Sequence, residues 1–450
     1  MSSLTLSQMT LDQLLASPSL SCSCGKAHKT PLKQAIIGEH ILPRVLEPLK
    51  ERKIRRPMIV SDPNTYEAAG REVCRILEEA GVKFTSYVMD SPHPVPDEYW
   101  VGAVVMRMTP DMDAIIAVGS GVINDVCKIA ASVSRLPYLI VGTAPSMDGY
   151  ASDTSSMLLA GLKITLPSRC PDVIIADTAV MAQAPMRMLQ SGLGDMVAKY
   201  VSICEWRISH IINDEYYCEE IASLVRQSLA QCMESADRLL ERDPAAVEHV
   251  VRGLILTGAA MGYAGVSRPA SGTEHYFSHI WDMTAIEQGY EHDLHGIQCG
   301  VSTLLSLKVY DYIRTIRPDR QKALDYVNRF SLDDWKQFAV KVFGKVSDSI
   351  IEREQAEQKY NKETHRERLE VILDHWDQIL AVIDEELPSY DWLLDKMKQI
   401  QAPVSPKELN LSPELVKDSF LGTKDIRYKY ISTHLLWDLG YLEDAAETLF

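Results

Sequence analysis

No stretch of the 450 residues is apolar for long enough to cross a bilayer. The first twenty carry neither a basic leader nor an unbroken apolar core, so no secretory signal peptide is expected. Positive charge is in short supply. The 46 Lys and Arg against 62 Asp and Glu leave a net charge of −16 and an isoelectric point near 5.3. That excess repels nucleic acid and anionic membrane, so neither a nucleic-acid partner nor membrane insertion is expected. An anionic substrate would need local Lys and Arg to reverse the field. The nine cysteines are odd in number and scattered, which points to reduced thiols and a cytoplasmic setting rather than a disulfide framework. There is no internal repeat and no G-x-G-x-x-G fingerprint. What is present is enough chain, 46% apolar, for two or three domains with full cores.

Residues 1–20 read as a polar arm with one short amphipathic helix near Leu11 to Leu15. Cys22-Ser23-Cys24-Gly25-Lys26-Ala27-His28 follows. This C-x-C-x3-H cluster has metal-ligating residue types but no nearby fourth ligand and not the spacing of a zinc ribbon, so a plain turn with small apolar cysteines is expected. Pro57 to Asp62, a helix from Tyr66 to Ala80 and Val82 to Val88 make a strand–helix–strand unit of the parallel-sheet kind. Asp62 at the strand end can accept ribose hydroxyls or cap the next helix, with Pro63 at its first position. Asp113 to Val118 is a buried strand. It runs through Gly119-Ser120-Gly121 into a helix that carries Asn124 and Asp125, a turn able to close on a pyrophosphate. A further strand ending at Gly142 delivers Thr143-Ala144-Pro145-Ser146-Met147-Asp148-Gly149-Tyr150-Ala151-Ser152. Ligands bind beyond the carboxyl ends of parallel strands, so this reads as a binding loop rather than a long polar connection. Residues 158–166 look like a hairpin, and 173–177 like a last strand.

After Pro185 strand signals almost vanish, which places a domain boundary near residue 185 and a helical domain beyond it. Residues 331–400, charged in both signs, read as a solvated helical appendage. Within the helical half, His275 and His279 are four apart and share a helix face. A chain reversal through residues 287–291 would bring His295 beside them. Three imidazoles and a carboxylate suit a borderline divalent ion; a solvated or hydrogen-bonded histidine face is the plainer alternative. The candidate carboxylate is Asp195 in Gly192-Leu193-Gly194-Asp195, read as a tight turn opening a helix.

The stretches at residues 119–125, 143–152, 192–195, 267–269, 271–275 and 295–296 together resemble the sn-glycerol-1-phosphate dehydrogenase family. That family lies within the glycerol dehydrogenase, iron-type alcohol dehydrogenase and 3-dehydroquinate synthase superfamily. The early Cys22-Ser23-Cys24-Gly25 and the closing Leu435-Leu436-Trp437-Asp438-Leu439-Gly440 resemble its bacterial branch. The likeness covers most of residues 20–330 and the last thirty or so. It implies an α/β N-terminal nucleotide-binding domain with a parallel sheet (1–185) and an all-helical C-terminal metal- and substrate-binding domain (186–450). It implies NAD(H) or NADP(H), held by residues of the set Asp62, Gly119, Ser120, Gly121, Asn124, Asp125, Thr143, Ser146 and Ser152. By position Asp195, His275 and His295 would be metal ligands, for Zn²⁺ first and Ni²⁺ second. Iron-type enzymes carry a fourth ligand where this chain has Lys199, which counts against iron. His279, or a water ordered by Asp148, would supply a proton. Asp148, Lys163, Lys199 and Arg268 are the substrate-contact candidates, the three cations facing its phosphate. The implied reaction is reversible reduction of dihydroxyacetone phosphate to sn-glycerol 1-phosphate in a homo-oligomeric enzyme. A polyol dehydrogenase for non-phosphorylated substrates, a dehydroquinate-synthase-like cyclase and a silent binding module are the alternatives.

Overall fold

The computed structural model describes residues 5–17 and 19–450; the first four residues and Pro18 of the expected arm lie outside them. Two compact units are present: one runs to Met196 and includes Glu219–Ser267, the other comprises Val197–Cys218 and Arg268–Phe450.

The first unit holds ten strands among the described residues. They are β1 (Leu20–Ser21), β2 (Ala27–His28), β3 (Gln34–Gly38), β4 (Pro57–Ser61), β5 (Thr85–Val88), β6 (Ala114–Gly119), β7 (Tyr138–Gly142), β8 (Thr154–Leu159), β9 (Leu162–Pro167) and β10 (Val173–Asp177). Six form one sheet in the order β3-β10-β7-β6-β4-β5, every pair parallel. Strands β4, β6, β7 and β10 are buried along their whole length, which is why their centres are continuous apolar runs rather than alternating ones. The chain goes from β4 outward to β5, then returns to lay β6, β7 and β10 on the other side. The β4–β6 neighbour pair is therefore the topological switch point, where open parallel sheets bind ligands. Helices α1 (Arg71–Glu79), α2 (Glu98–Val105) and α3 (Gly121–Ser134) connect these strands, and β8–β9 is the expected antiparallel hairpin.

The single cut expected at residue 185 does not describe the units. Helix α4 (Met186–Asn213) is 28 residues long, and only its first part, to Met196, counts with the sheet. Helices α5 (Glu219–Glu234) and α6 (Pro244–Ala264) also belong to the sheet unit. Gly192 and Gly194 lie inside α4 and do not form the tight turn that their spacing suggests. The glycine serves close approach instead: a Cβ at Gly192 would sit 1.8 Å from Pro145 O, in the loop after β7. One at Gly258 of α6 would sit 2.7 Å from Ala151 Cβ and 3.0 Å from Asp148 O. Two helices thus press their backbones onto the 143–152 loop.

The second unit is helical: the rest of α4, then α7 (Thr273–Gln288), α8 (His295–Thr315), α9 (Arg320–Asn328), α10 (Leu332–Phe343), α11 (Ser347–Ala356), α12 (Lys362–Asp374), α13 (Trp376–Glu386), α14 (Tyr390–Gln399), α15 (Pro413–Ile426), α16 (Ser432–Leu439) and α17 (Leu442–Leu449). Residues 331–400 are not a solvated appendage. Ile350, Leu369, Ile372, Ile379, Ile383, Leu393 and Met397 are buried. Trp335 Nε1 donates to Asp425 Oδ2 (3.1 Å), Arg353 Nη1 to Ile426 O (3.1 Å), and Arg368 grips Asp438 through both carboxylate oxygens (3.0 and 2.8 Å). The mixed charges occupy the outer faces of helices whose apolar stripes recur every three or four residues.

Gly192→Ala is expected to lower stability by about 1–3 kcal/mol or more, because the added methyl collides with a backbone carbonyl and not with a yielding side-chain tip. A urea midpoint equal to that of the parent would refute this close approach.

Candidate active site

In the first unit, the switch point is flanked by the residues that follow β4 and β6. Asp62 caps the turn after β4: its Oδ1 accepts from Thr65 N–H (2.8 Å) and Pro63 takes the first helical position. After β6 the backbone must bend sharply into α3. Gly119 allows this, since a Cβ there would lie 2.6 Å from Ile123 Cβ. The first N–H groups of α3 have no partner carbonyl within their own helix and sit at its positive dipole end, which suits a pyrophosphate. The neighbouring loop is locked to this turn: Thr143 N–H donates to Gly119 O (3.0 Å), and the hydroxyls of Ser120 and Ser146 are 2.6 Å apart.

Two expected cofactor contacts have other work. Asn124 is fully buried; its Oδ1 accepts from Tyr138 Oη (2.9 Å) and its Nδ2 donates to Gly149 O (3.3 Å). Ser152 accepts from Lys128 Nζ (2.9 Å). Both therefore shape the 143–152 loop from behind. Lys128, which sequence reasoning missed, is the centre of that brace. Fully buried, it also donates to Gly149 O and to Thr154 O (3.2 Å). Its position one turn after Asn124 on α3 was the available signal. Burial pushes the Asp125 carboxyl up to about 6, against the attraction of Lys128 and Lys163; Lys163 stands on β9. Asp148 acts here through its backbone: its N–H donates to Asp195 Oδ2 (2.8 Å), so the loop orients the carboxylate of α4.

In the second unit, α7 stops at Gly289, whose φ of 75° suits the left-handed cap, and α8 begins at His295. The reversal sets the His275 and His295 rings 4.9 Å apart. His279 lies 6.5 Å from His275 and 6.1 Å from His295, between centroids, and is partly exposed. Each of the inner pair is oriented through Nδ1. His275 Nδ1–H donates to Glu274 Oε1 (2.9 Å). His295 Nδ1–H donates to Ser278 Oγ (3.0 Å), whose proton goes to Gln298 Oε1 (2.6 Å), and Gln298 Nε2 donates to Asp282 Oδ1 (3.0 Å). Both rings therefore carry their proton on Nδ1 and the lone pair on Nε2, and His295 Nε2 is 3.5 Å from Cys299 Sγ. Their ligand atoms and the thiol of Cys299, four residues along α8 from His295, lie within 4.8 Å of one another.

The electrostatics suit a cation. Burial, with the charge of Lys199 and the other rings, holds His275 well below its usual range, so it is neutral. Burial and the nearby Glu205 push the Glu274 carboxyl up to about 8, and its Oε2 has no hydrogen-bond partner. A divalent ion in front of His275 would compensate that buried carboxylate; the residues fit one. Glu274, Ser278, Asp282, Gln298 and Cys299 were all missed by sequence reasoning, because a carboxylate or amide behind a histidine leaves no spacing rule.

A profile of the iron-containing alcohol dehydrogenase family matches residues 36–185. The chain is 28% identical over 439 residues to a glycerol-1-phosphate dehydrogenase [NAD(P)+] of Geobacillus stearothermophilus, covering 96% of this chain and 99% of that one. It is 32% identical over 293 residues to the enzyme of that name from Halalkalibacterium halodurans, covering 64% of this chain and 73% of the relative. It belongs to the iron-containing alcohol dehydrogenase and glycerol-1-phosphate dehydrogenase-like superfamily. The fold agrees: glycerol dehydrogenase of Schizosaccharomyces pombe superposes with a TM-score of 0.60 at 17% identity, over 93% of this chain and 89% of that one. The protein is an NAD(P)-dependent oxidoreductase of the glycerol/polyol dehydrogenase type, acting on CH–OH groups. Among the described residues no helix is long and apolar enough to cross a membrane.

Within this superfamily member, Arg268 is not a substrate contact. It is 2% exposed. Its Nε donates to Glu215 Oε1 (2.8 Å), Nη1 to Tyr430 O (2.8 Å), and Nη2 to Ser209 Oγ (3.1 Å) and Glu215 Oε2. A guanidinium so committed holds the 215 loop to the chain before α16. Lys199 is also buried, but its charge acts directly on His275.

Arg268→Met should therefore reduce stability by about 3 kcal/mol by leaving Glu215 without its partner, while KM for a phosphorylated substrate stays unchanged in the folded fraction. A large rise in KM at unchanged stability would return Arg268 to the site. For Asp125 the folded value lies above the unfolded one of about 4. Stability should fall as pH rises from about 4 to about 6, and Asp125→Asn should be more stable than the parent at pH 7 by up to about 3 kcal/mol, with no difference near pH 3.5. Equal melting temperatures at both pH values would contradict the burial of this carboxyl.

Proposed function

We propose that the protein reduces dihydroxyacetone phosphate to sn-glycerol 1-phosphate, reversibly, with NADH or NADPH and one divalent ion, Zn²⁺ first and Ni²⁺ second. The observation that carries this reading is the close His275–His295 pair, each ring oriented through Nδ1, in a chain whose relatives are named glycerol-1-phosphate dehydrogenases. Asp195, His275 and His295 are the proposed ligands, one oxygen and two imidazole nitrogens, a set suited to a borderline ion. When bound, the ion polarises the substrate carbonyl and the reduced nicotinamide supplies the hydride.

This chain's residues do the rest. The turn at Gly119, Ser120 and Gly121 and the start of α3 seat the dinucleotide phosphates, with Thr143 and Ser146 fixing the facing loop. Asp62 stands at the switch point for the adenosine ribose, its Oδ1 already holding the cap. The Asp148 N–H keeps the Asp195 carboxylate in one orientation, and Glu274 and Ser278 do so for the two imidazoles. His279, partly exposed, can exchange with solvent and return a proton to the developing alkoxide. Lys199 and Lys163 remain the proposed cations for the substrate phosphate.

The test is NADH oxidation with dihydroxyacetone phosphate against dihydroxyacetone, before and after chelation, with chiral analysis of the product. Preference for the phosphate, loss on chelation and the sn-1 product are expected; equal rates on both ketones would favour a plain polyol dehydrogenase. His295→Ala should lose metal and activity together. Glu274→Gln should weaken metal binding by about 10–100-fold while the fold persists.

A further inference from the structure

The hairpin β1–β2 lies in the sheet unit, and it carries donors of a different kind. Its register pairs Leu20 with His28 and Ser21 with Ala27, so residues 22–26 form the connecting loop. Gly25 closes that loop: its N–H donates to Cys22 O (3.1 Å) and its φ of 82° is open to glycine. The turn folds Cys22 and Cys24 back toward His28, and the donor atoms of these three lie within 4.8 Å of one another. Cys24 Sγ is 3.4 Å from His28 Nε2. In a tetrahedral zinc site, Zn–S near 2.3 Å and Zn–N near 2.0–2.1 Å place S and N about 3.6 Å apart.

His28 is oriented as a ligand would be. It is fully buried, and its Nδ1 is 3.0 Å from Tyr263 O in α6. A carbonyl only accepts, so Nδ1 carries the proton and the Nε2 lone pair faces the thiols. The sequence offers no fourth donor near this cluster. The N-terminal arm is bound at the start of α5, through Leu6 N–H to Glu220 Oε2 (3.0 Å).

We infer that Cys22, Cys24 and His28 hold a zinc ion in the sheet unit, separate from the catalytic ion. Two thiolates and one imidazole make a soft donor set, unlike the harder Asp/His/His set proposed for catalysis. The site ties the hairpin to α6, where His28 is held by Tyr263 O. The thiols must lose their protons to bind, so uptake releases protons and stabilises the folded unit. The competing arrangement is a metal-free knot of thiols hydrogen-bonded around His28.

Full-length protein loaded with Co²⁺ decides between them. The parent is expected to bind about two metal ions per chain and to show thiolate-to-cobalt charge-transfer absorption in the near ultraviolet. His295→Ala should keep that absorption while losing the catalytic ion. Cys22→Ser with Cys24→Ser should lose the absorption and about one metal equivalent, with a lower melting temperature. His28→Cys is the guard against a variant that simply fails to fold, since a three-thiolate site still binds and should strengthen the band. No charge-transfer band in the parent, or a band that survives the double serine variant, overturns the proposal.

Discussion

A buried carboxylate behind a buried imidazole is the constraint on which the helical unit depends. Glu274 accepts from His275 Nδ1 and from Gly272 N–H, and is otherwise enclosed. Glu205, close enough to raise it, is satisfied by Thr273 N–H, by Ser432 N–H and by Tyr310 Oη. Two acids at such depth are costly unless donors and a nearby cation compensate them. The start of α7, the last turns of α8 and the start of α16 are all fixed by the need to bring those donors in. The result is a ring held through Nδ1 and kept neutral, which is what metal ligation requires.

The sheet unit solves a different problem, the close approach of backbone to ligand. Its key positions are glycines, but they do not all do what glycine in a turn does. Gly119 lets α3 start against the end of β6. Gly192 and Gly258 sit in helices and let two of them press on the 143–152 loop from behind. With Lys128 filling the loop's carbonyl-lined interior, that stretch becomes a rigid wall despite having little regular structure of its own. Asp195, held by the Asp148 N–H, is placed by this wall rather than by its helix alone.

The parallel sheet was legible because its central strands are buried on both faces, which leaves continuous β-branched runs that no other element produces at that length. The strand-turn-helix at 114–134 was readable from its apolar run and glycine turn, and the hairpin expected at 158–166 extends further, pairing over 154–167. The Gly192/Gly194 pair misled because glycine's two uses, left-handed turns and close contact, look identical in one dimension. Residues 331–400 misled because charge dominates their composition while the apolar positions that bury them are spaced three or four apart. Asn124, Ser152 and Arg268 had the right chemistry for ligand contact, and only their neighbours show that the chemistry is used internally.

What is periodic or local follows from the order of residues alone: the strand cores, the glycine turn into α3, the His275/His279 spacing and the reversal that returns His295. These follow from the pleat, the helical repeat and the steric freedom of single residues, none of which needs a distant partner. Tertiary structure decided which polar groups face each other across long stretches of chain, as with Glu274 beside Glu205, Arg268 against Glu215, or Lys128 inside a loop. Burial and desolvation are properties of the folded surroundings, so the side chains that they turn into ligands, braces or buried acids are settled only once the chain has closed around them.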